Sequence, residues 1–336
     1  MFARRAVPKG EAPRHQVARR LYNELMSQLR FAFLGPRGTF TQQALNQIAT
    51  EEEAIHIPAL DAPRAIKMVR NGDADYAVVP IENSVEGGIN ATLDTLAADS
   101  DLLIYAEVLV PVAFTLAVRP GTTLADITHI STHHAAWTQC RNWLGEHLPE
   151  VVHLPAASTA AGAAGLAEEG DPGYQATLVS ALACEQYELE ALESGVADNP
   201  DAVTRFVLIG KVGKLPERTG SDKTTLMVQL ATDEAGALLN MLEQFSARGV
   251  NLSRIESRPV GDSLGRYAFS IDAEGHLFDE RIQAVLLGLH RVCPRVTFLG
   301  SYPSANQHRI RLRPGTTDDD FISARAWVDG LIERSI

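Results

Sequence analysis

Apolar positions fall into short blocks whose spacing alternates between strand and helix. Phe31-Ala32-Phe33-Leu34 is a compact apolar run that stops at Gly35-Pro36, a turn signal. Thr39 followed by Gln42 fits a capping box, so a helix is expected to start near Phe40. Residues 62–71 read as a helix closed by Asn71-Gly72-Asp73, and Tyr76 to Pro80 as a buried strand. Asn90 reads as the N-cap of a helix running through Leu93 and Leu96. The pattern predicts strands near 102–107 and 111–118, a helix near 134–147, a strand near 150–154 and a helix over 158–169. A strand at 176–179 and a helix at 181–187 after Ser180 complete this part. Such alternation indicates an α/β layer architecture in two lobes. Lobe one is expected over about 31–112 and 192–212, and lobe two over about 113–191.

Beyond a Gly-, Pro- and charge-rich linker at 211–222 the pattern changes. Thr224 to Ala231 alternates as a strand, and Leu238, Met241, Leu242 and Phe245 mark one helical face. Strands at 251–259 and 266–272, a helix at 278–291 and a strand at 296–299 follow. The order βαββαβ defines a ferredoxin-like unit over 222–302. Residues 303–336 form a tail with a final helix beginning near Asp318-Asp319-Asp320.

Net charge is −12 over 336 residues, which argues against nucleic acid or an anionic membrane as the main partner. Residues 1–30 carry +5, leaving −17 on the rest. Val17, Leu21, Leu25 and Leu29 recur every four residues, so 15–30 is expected to form an amphipathic helix in a basic extension. No segment approaches membrane-span length, and the expected compartment is the cytoplasm. Cys140, Cys184 and Cys293 are scattered and read as reduced structural thiols. The pair His133-His134 lacks the companions a metal needs, so no metal site is expected.

Three polar corners stand at strand ends: Gly35 to Thr41, Glu82 to Gly88, and Thr204-Arg205-Phe206. The first offers a helix start to a carboxylate. The second combines the directional amide and hydroxyl of Asn83 and Ser84 with Gly87-Gly88, which permit close backbone approach. In the third, Arg205 could hold a carboxylate through paired donors, while the bland reading of Thr204 is a strand-edge hydroxyl. Together the corners suggest a small anionic substrate between two lobes, worked on by neutral groups and one Arg.

These residues resemble the prephenate dehydratase family over roughly 31–302. The matching motifs are Gly35-Pro36-x-Gly38-Thr39-Phe40-Thr41, Pro80-Ile81-Glu82-Asn83-Ser84-x-x-Gly87, Thr204-Arg205-Phe206, Gly236-Ala237-Leu238-Leu239 and Glu256-Ser257-Arg258-Pro259. The chain departs from the family pattern at His134, Ala135 and Ala202, near the expected cleft. The resemblance implies a two-lobed periplasmic-binding-protein-like catalytic domain followed by an ACT regulatory domain. It implies conversion of prephenate to phenylpyruvate with no cofactor, Thr204 donating a proton and Asn83 and Ser84 supporting it. Arg205 with the Thr39–Thr41 helix start would anchor a carboxylate, Phe206 would complete the catalytic set, and Phe40, Glu82 and Gly87 would join Thr39 and Thr41 in binding the substrate. Phenylalanine would bind Gly236 to Leu239 and Glu256 to Pro259 between two ACT units, which requires a homodimer or homotetramer. Arogenate dehydratase, prephenate decarboxylase and a non-catalytic small-anion or amino-acid sensor are the alternatives left open by the residues.

Overall fold

Three parallel strands begin the first lobe: β1 (Arg30–Leu34), β2 (Ile55–Ala59) and β3 (Tyr76–Asn83). The computed structural model describes residues 29–98, 101–230, 234–259 and 267–335. Of the helix expected over 15–30, only Leu29 and Arg30 fall in that range, and Arg30 opens β1. Helix α1 (Phe40–Asn46) follows β1, α2 (Ala62–Asn71) follows β2, and the short β4 (Gly87–Gly88) leads from β3 into α3 (Asn90–Ala98). Strands β5 (Leu102–Pro111) and β11 (Val203–Lys211) complete a sheet of order β2-β1-β3-β11-β5, with β4 paired to β3. Of the two strands expected near 102–107 and 111–118, the first runs on to Pro111 as β5 and the second starts only at Thr115, while β2, with its Pro58, escaped the apolar pattern.

Lobe two holds a second sheet, order β10-β6-β9-β7-β8. Its strands are β6 (Thr115–Val118), β7 (His129–Thr132), β8 (Val152–Pro155), β9 (Ala176–Val179) and β10 (Glu190–Ser194). Its helices are α4 (His134–Gln139), α5 (Arg141–His147), α6 (Thr159–Ala167) and α7 (Ala181–Gln186). The helix expected over 134–147 breaks at Cys140. Because β10 pairs antiparallel with β6, the chain returns to lobe one at Val203 and not at Leu192.

The C-terminal unit is β12 (Asp222–Gln229), α8 (Ala237–Ser246), β13 (Leu252–Pro259), β14 (Tyr267–Glu274), α9 (Glu280–Val292) and β15 (Arg295–Pro303). Its sheet order β13-β14-β12-β15 is ferredoxin-like. Alternation along the strands gives the sheet two different faces. Leu226, Val228, Ile271 and Ala273 pack on α8 and α9. Met227, Leu299 and Tyr302 instead share a core with Ile104, Val207 and Ile209 of lobe one. β15 runs so close to β5 that a Cβ on Gly300 would collide with the Ile104 carbonyl. The unit is therefore built onto the back of the sheet that carries β11. A last helix, α10 (Asp318–Glu333), is capped by Thr317 and tied to α9 by an Arg325–Glu280 ion pair.

Candidate active site

Between the lobes lies a cavity of about 540 Å³. Its walls come from the β1–α1 turn, the end of β3, the β11 start, and the entries to α4 and α6. Thr204, Phe206, Asn83, Thr39, Phe40 and Thr41 line it. Among the described residues no Lys, Arg, Asp or Glu lines it, and His133 is its one titratable side chain. Val112, Phe114 and Phe206 give it apolar walls, beside which a polar contact is stronger than in open water.

The Asn83–Thr204 pair is set by strand register. Thr204 stands opposite Asn83 on β3 and opposite Val110 on β5. Asn83 Nδ2 donates to Thr204 Oγ1 at 2.8 Å. The amide cannot turn round, because Asn83 Oδ1 accepts from the backbone N–H groups of Val85 at 2.8 Å and Glu86 at 3.2 Å. With its oxygen already accepting, the buried Thr204 hydroxyl has its proton left to give. Next to this pair the ladder slips: Arg205 faces Glu82 but Phe206 faces Pro80, a β-bulge over Ile81. Bulges of this kind re-aim side chains beside active sites.

The β1–α1 turn closes the cavity from the other side. Thr39 caps α1, its hydroxyl accepting from Gln42 N at 3.3 Å and donating to Leu34 O at 2.9 Å. Gln42 Oε1 reaches back to Gly38 N at 2.6 Å, one residue beyond the usual capping-box partner. Gly38 has φ +83° and lies against Ala183 of α7, while Ser180 Oγ donates to Gly38 O at 2.8 Å. These contacts latch the turn onto lobe two.

Several expected site residues stand elsewhere. Arg205 is buried, but its guanidinium lies on the opposite face of the sheet from Thr204, because adjacent strand residues point to opposite sides. It is bonded to Glu82 at 3.0 Å, Asp272 at 2.6 Å and Tyr302 at 3.0 Å, so it does not anchor a carboxylate in the cleft. Glu82 shares that face. Ser84 is exposed, and its hydroxyl accepts from Val203 N at 2.9 Å instead of supporting Thr204. Gly87 lines no part of the cavity, and the space left by Gly88 is filled by the Glu256 carboxylate.

In the C-terminal unit, Gly236 (φ +92°) caps α8, with Ala237, Leu238 and Leu239 in its first turn, Leu238 and Leu239 exposed. On β13, Ser257 is exposed, and Pro259 ends the strand. Glu256 and Arg258 turn toward lobe one, Arg258 pairing with Asp94 at 2.6 Å and with Asn90. Ala202 is buried, its carbonyl accepting from Val112 N at 2.7 Å where the two crossings between lobes meet. The sequence reading missed the α6 entry, where Ala157, Ser158, Thr159 and Ala161 complete the cavity wall. A Ser-Thr pair before an Ala-rich helix is the signal that marks it. Gln139, whose Oε1 is buried without a partner, is a further polar atom of the same wall. Among the described residues no cluster of metal-ligating side chains occurs, and no helix is long and apolar enough to cross a membrane.

The prephenate dehydratase family model matches residues 31–214. A prephenate dehydratase of Mycolicibacterium vanbaalenii is 41% identical over 316 residues, covering 90% of this chain and 98% of that protein. A solved structure of prephenate dehydratase from Arthrobacter aurescens in complex with L-Phe is 52% identical, with a TM-score of 0.86, over 91% of this chain and 100% of that one. The prephenate dehydratase of Staphylococcus aureus is 28% identical, with a TM-score of 0.69, over 82% of this chain.

Proposed function

The chain belongs to the prephenate dehydratase family, and from that membership we propose how its interlobe cavity turns prephenate into phenylpyruvate. The ring carboxylate leaves as CO2 and its bonding electrons enter the ring. The ring C–O bond breaks, and the departing hydroxyl takes the Thr204 proton and leaves as water. Solvent then restores the proton to Thr204. Aromatisation drives the reaction, so the protein's task is to assist a poor leaving group. General acid help of this kind is worth about 10²–10⁴-fold. A Thr hydroxyl is a feeble acid, and the fixed Asn83 amide offsets this by stabilising the oxygen as it gains negative charge. The observation that carries the reading is the Asn83–Thr204 hydrogen bond at the wall of a largely apolar cavity.

The substrate's carboxylates are received by neutral donors. Thr41, Ser158 and Thr159 stand at the entries to α1 and α6, where the first backbone N–H groups have no intrahelical acceptor. This replaces Arg205, which the fold directs elsewhere.

The C-terminal unit serves as an ACT-type sensor of phenylalanine. The Arthrobacter aurescens relative holds L-Phe, and it matches 91% of this chain over its own full length. Gly236 to Leu239 and Ser257 are open to a second copy of the chain, which completes the effector site in a homo-oligomer. The hollow of about 140 Å³ at the α8 entry is lined by Leu230, Ala237 and Asn240 but by no residue of β13. A partner subunit supplies that wall. The test is to incubate the purified protein with prephenate and follow phenylpyruvate by absorbance, with and without phenylalanine. Turnover that changes with phenylalanine is expected; a protein that binds prephenate without consuming it would be a sensor only.

A further inference from the structure

Resting on the catalytic role of Thr204, we infer that Arg205 is a positioning residue: its ion pair with Asp272 ties the catalytic strand to the C-terminal unit and sets where Thr204 stands. Arg205 sits between Thr204 and Phe206, both of which line the cavity, but its own side chain crosses to the back of the sheet. There Nη1 donates to Asp272 Oδ2 at 2.6 Å and to Glu82 Oε2 at 3.0 Å, and Nη2 donates to the Tyr302 hydroxyl at 3.0 Å. Nε lies 2.8 Å from Glu107 Oε2 in an ion pair whose angle makes no hydrogen bond. Asp272 and Tyr302 belong to the C-terminal unit; Glu82 and Glu107 belong to lobe one.

The network continues toward β13. Asp272 Oδ2 also accepts from Arg254 Nε at 2.9 Å, and Asp272 Oδ1 accepts from Thr225 Oγ1 at 2.7 Å. Arg254 Nη1 donates to Glu256 at 3.2 Å, and Glu256 fills the space over Gly88. Gly88 is paired with Glu82 on β3, one residue from Asn83. Both members of the Asn83–Thr204 pair are thus reached from β13, Thr204 through Asp272 and Arg205 and Asn83 through Glu256 and Gly88, the two routes meeting at the Arg205–Glu82 pair. Lys223 closes the cluster against Glu107 at 2.9 Å. Three cations (Arg205, Lys223, Arg254) face four carboxylates (Glu82, Glu107, Glu256, Asp272), so every charge at the junction has an opposite neighbour.

Stability alone does not explain this arrangement. Buried ion pairs are often matched or bettered by apolar residues of similar volume, and their attested use is to fix a unique register. Here the register fixed is that of β11 against the C-terminal sheet, at the residue beside the proton donor. A packed junction of this kind switches between discrete arrangements more readily than it deforms, so a change at β13 is passed to Thr204 as a displacement.

The experiment uses the full chain carrying Asp272→Asn, with Tyr302→Phe as a second variant that removes one Arg205 partner and keeps the ring in the core. Folding is checked by circular dichroism, and kcat and KM for prephenate are measured per folded protein while phenylalanine is titrated. Displacement of the donor predicts a kcat loss on the order of tenfold or more in Asp272→Asn, and a smaller one in Tyr302→Phe. KM should stay within about threefold, and the response to phenylalanine should weaken in both. If Asp272→Asn does not fold, the kcat and phenylalanine readings of Tyr302→Phe decide. A lower melting temperature with wild-type kcat and an intact phenylalanine response would make the cluster merely structural and overturn the inference. So would a raised KM at unchanged kcat, the signature of a substrate anchor. If the wild-type protein itself forms no phenylpyruvate, the proposed reaction fails and this inference falls with it.

Discussion

Asn83 and Thr204, 121 residues apart in sequence, are joined by a 2.8 Å hydrogen bond across the β3–β11 ladder, the amide donating and the hydroxyl accepting. The direction matters, because it leaves the Thr204 proton free and meets the negative charge left when that proton departs. Asn83→Asp replaces the donor by an acceptor at nearly the same shape. A kcat loss on the order of 10²–10³ is expected, as for removal of one preorganised donor. Steady-state kinetics with prephenate check it; a wild-type kcat would reduce Asn83 to a turn residue.

Gly38 holds the β1–α1 turn against lobe two. Its φ of +83° is a conformation that side chains resist, and a Cβ there would lie 2.9 Å from Ala183 Cα. Gly38→Ala should destabilise the protein by about 1–2 kcal/mol from the left-handed backbone alone. It should also raise KM, since the cavity wall shifts. Thermal melts and substrate titrations read the two effects separately; an unchanged KM would disconnect the latch from substrate binding.

Acid should act on the junction behind the sheet. Burial raises the tendency of Asp272 to hold a proton, but the charges of Arg205 and Arg254 outweigh it and hold its carboxyl far below the ordinary range. A depressed folded value means the stabilisation is fully present above the unfolded value of about 3.9 and is lost only as pH falls below it toward the folded one. The stability gap between wild type and Asp272→Asn, measured by urea unfolding, should therefore be level from pH 7 to about 4 and shrink below that. A gap unchanged at pH 2 would contradict the ion pairing.

The three thiols are predicted to be inert. Burial pushes Cys140 up to about 12, and moves Cys184 and Cys293 in the same direction. Reaction with a chromogenic disulfide at pH 8 should be slow in the native protein and release three equivalents only after denaturation. Fast native labelling would overturn the burial of these side chains.

Most of the fold was legible because its strands are apolar and bounded by turn residues. β2 and β10 were not, for physical reasons. β2 is a short edge strand of Ile55-His56-Ile57-Pro58-Ala59, whose Pro hides the pattern. β10 is the exposed edge of its sheet and reads Glu190-Ala191-Leu192-Glu193-Ser194. In the site, Thr204, Asn83 and the Gly35–Thr41 turn were found by motif and by strand-end position. Arg205 was misplaced although the rule that corrects it is elementary: neighbours on a strand face opposite ways, so Thr204 and Arg205 cannot both enter one cleft. What lay behind the sheet was invisible because Asp272 and Tyr302 are 67 and 97 residues away from Arg205. The α6 entry was passed over because Ser158-Thr159 reads equally well as an ordinary cap.

The central claim is that the Thr204 hydroxyl supplies the proton to the departing ring hydroxyl. Thr204→Val keeps the shape of the side chain and removes only that group. The decisive measurement is single-turnover conversion of prephenate by this variant beside wild type and Thr204→Ser. A rate loss of about 10²–10⁴-fold in the valine protein, with binding retained and most of the rate kept by serine, is the predicted result. Turnover by Thr204→Val at the wild-type rate would contradict it.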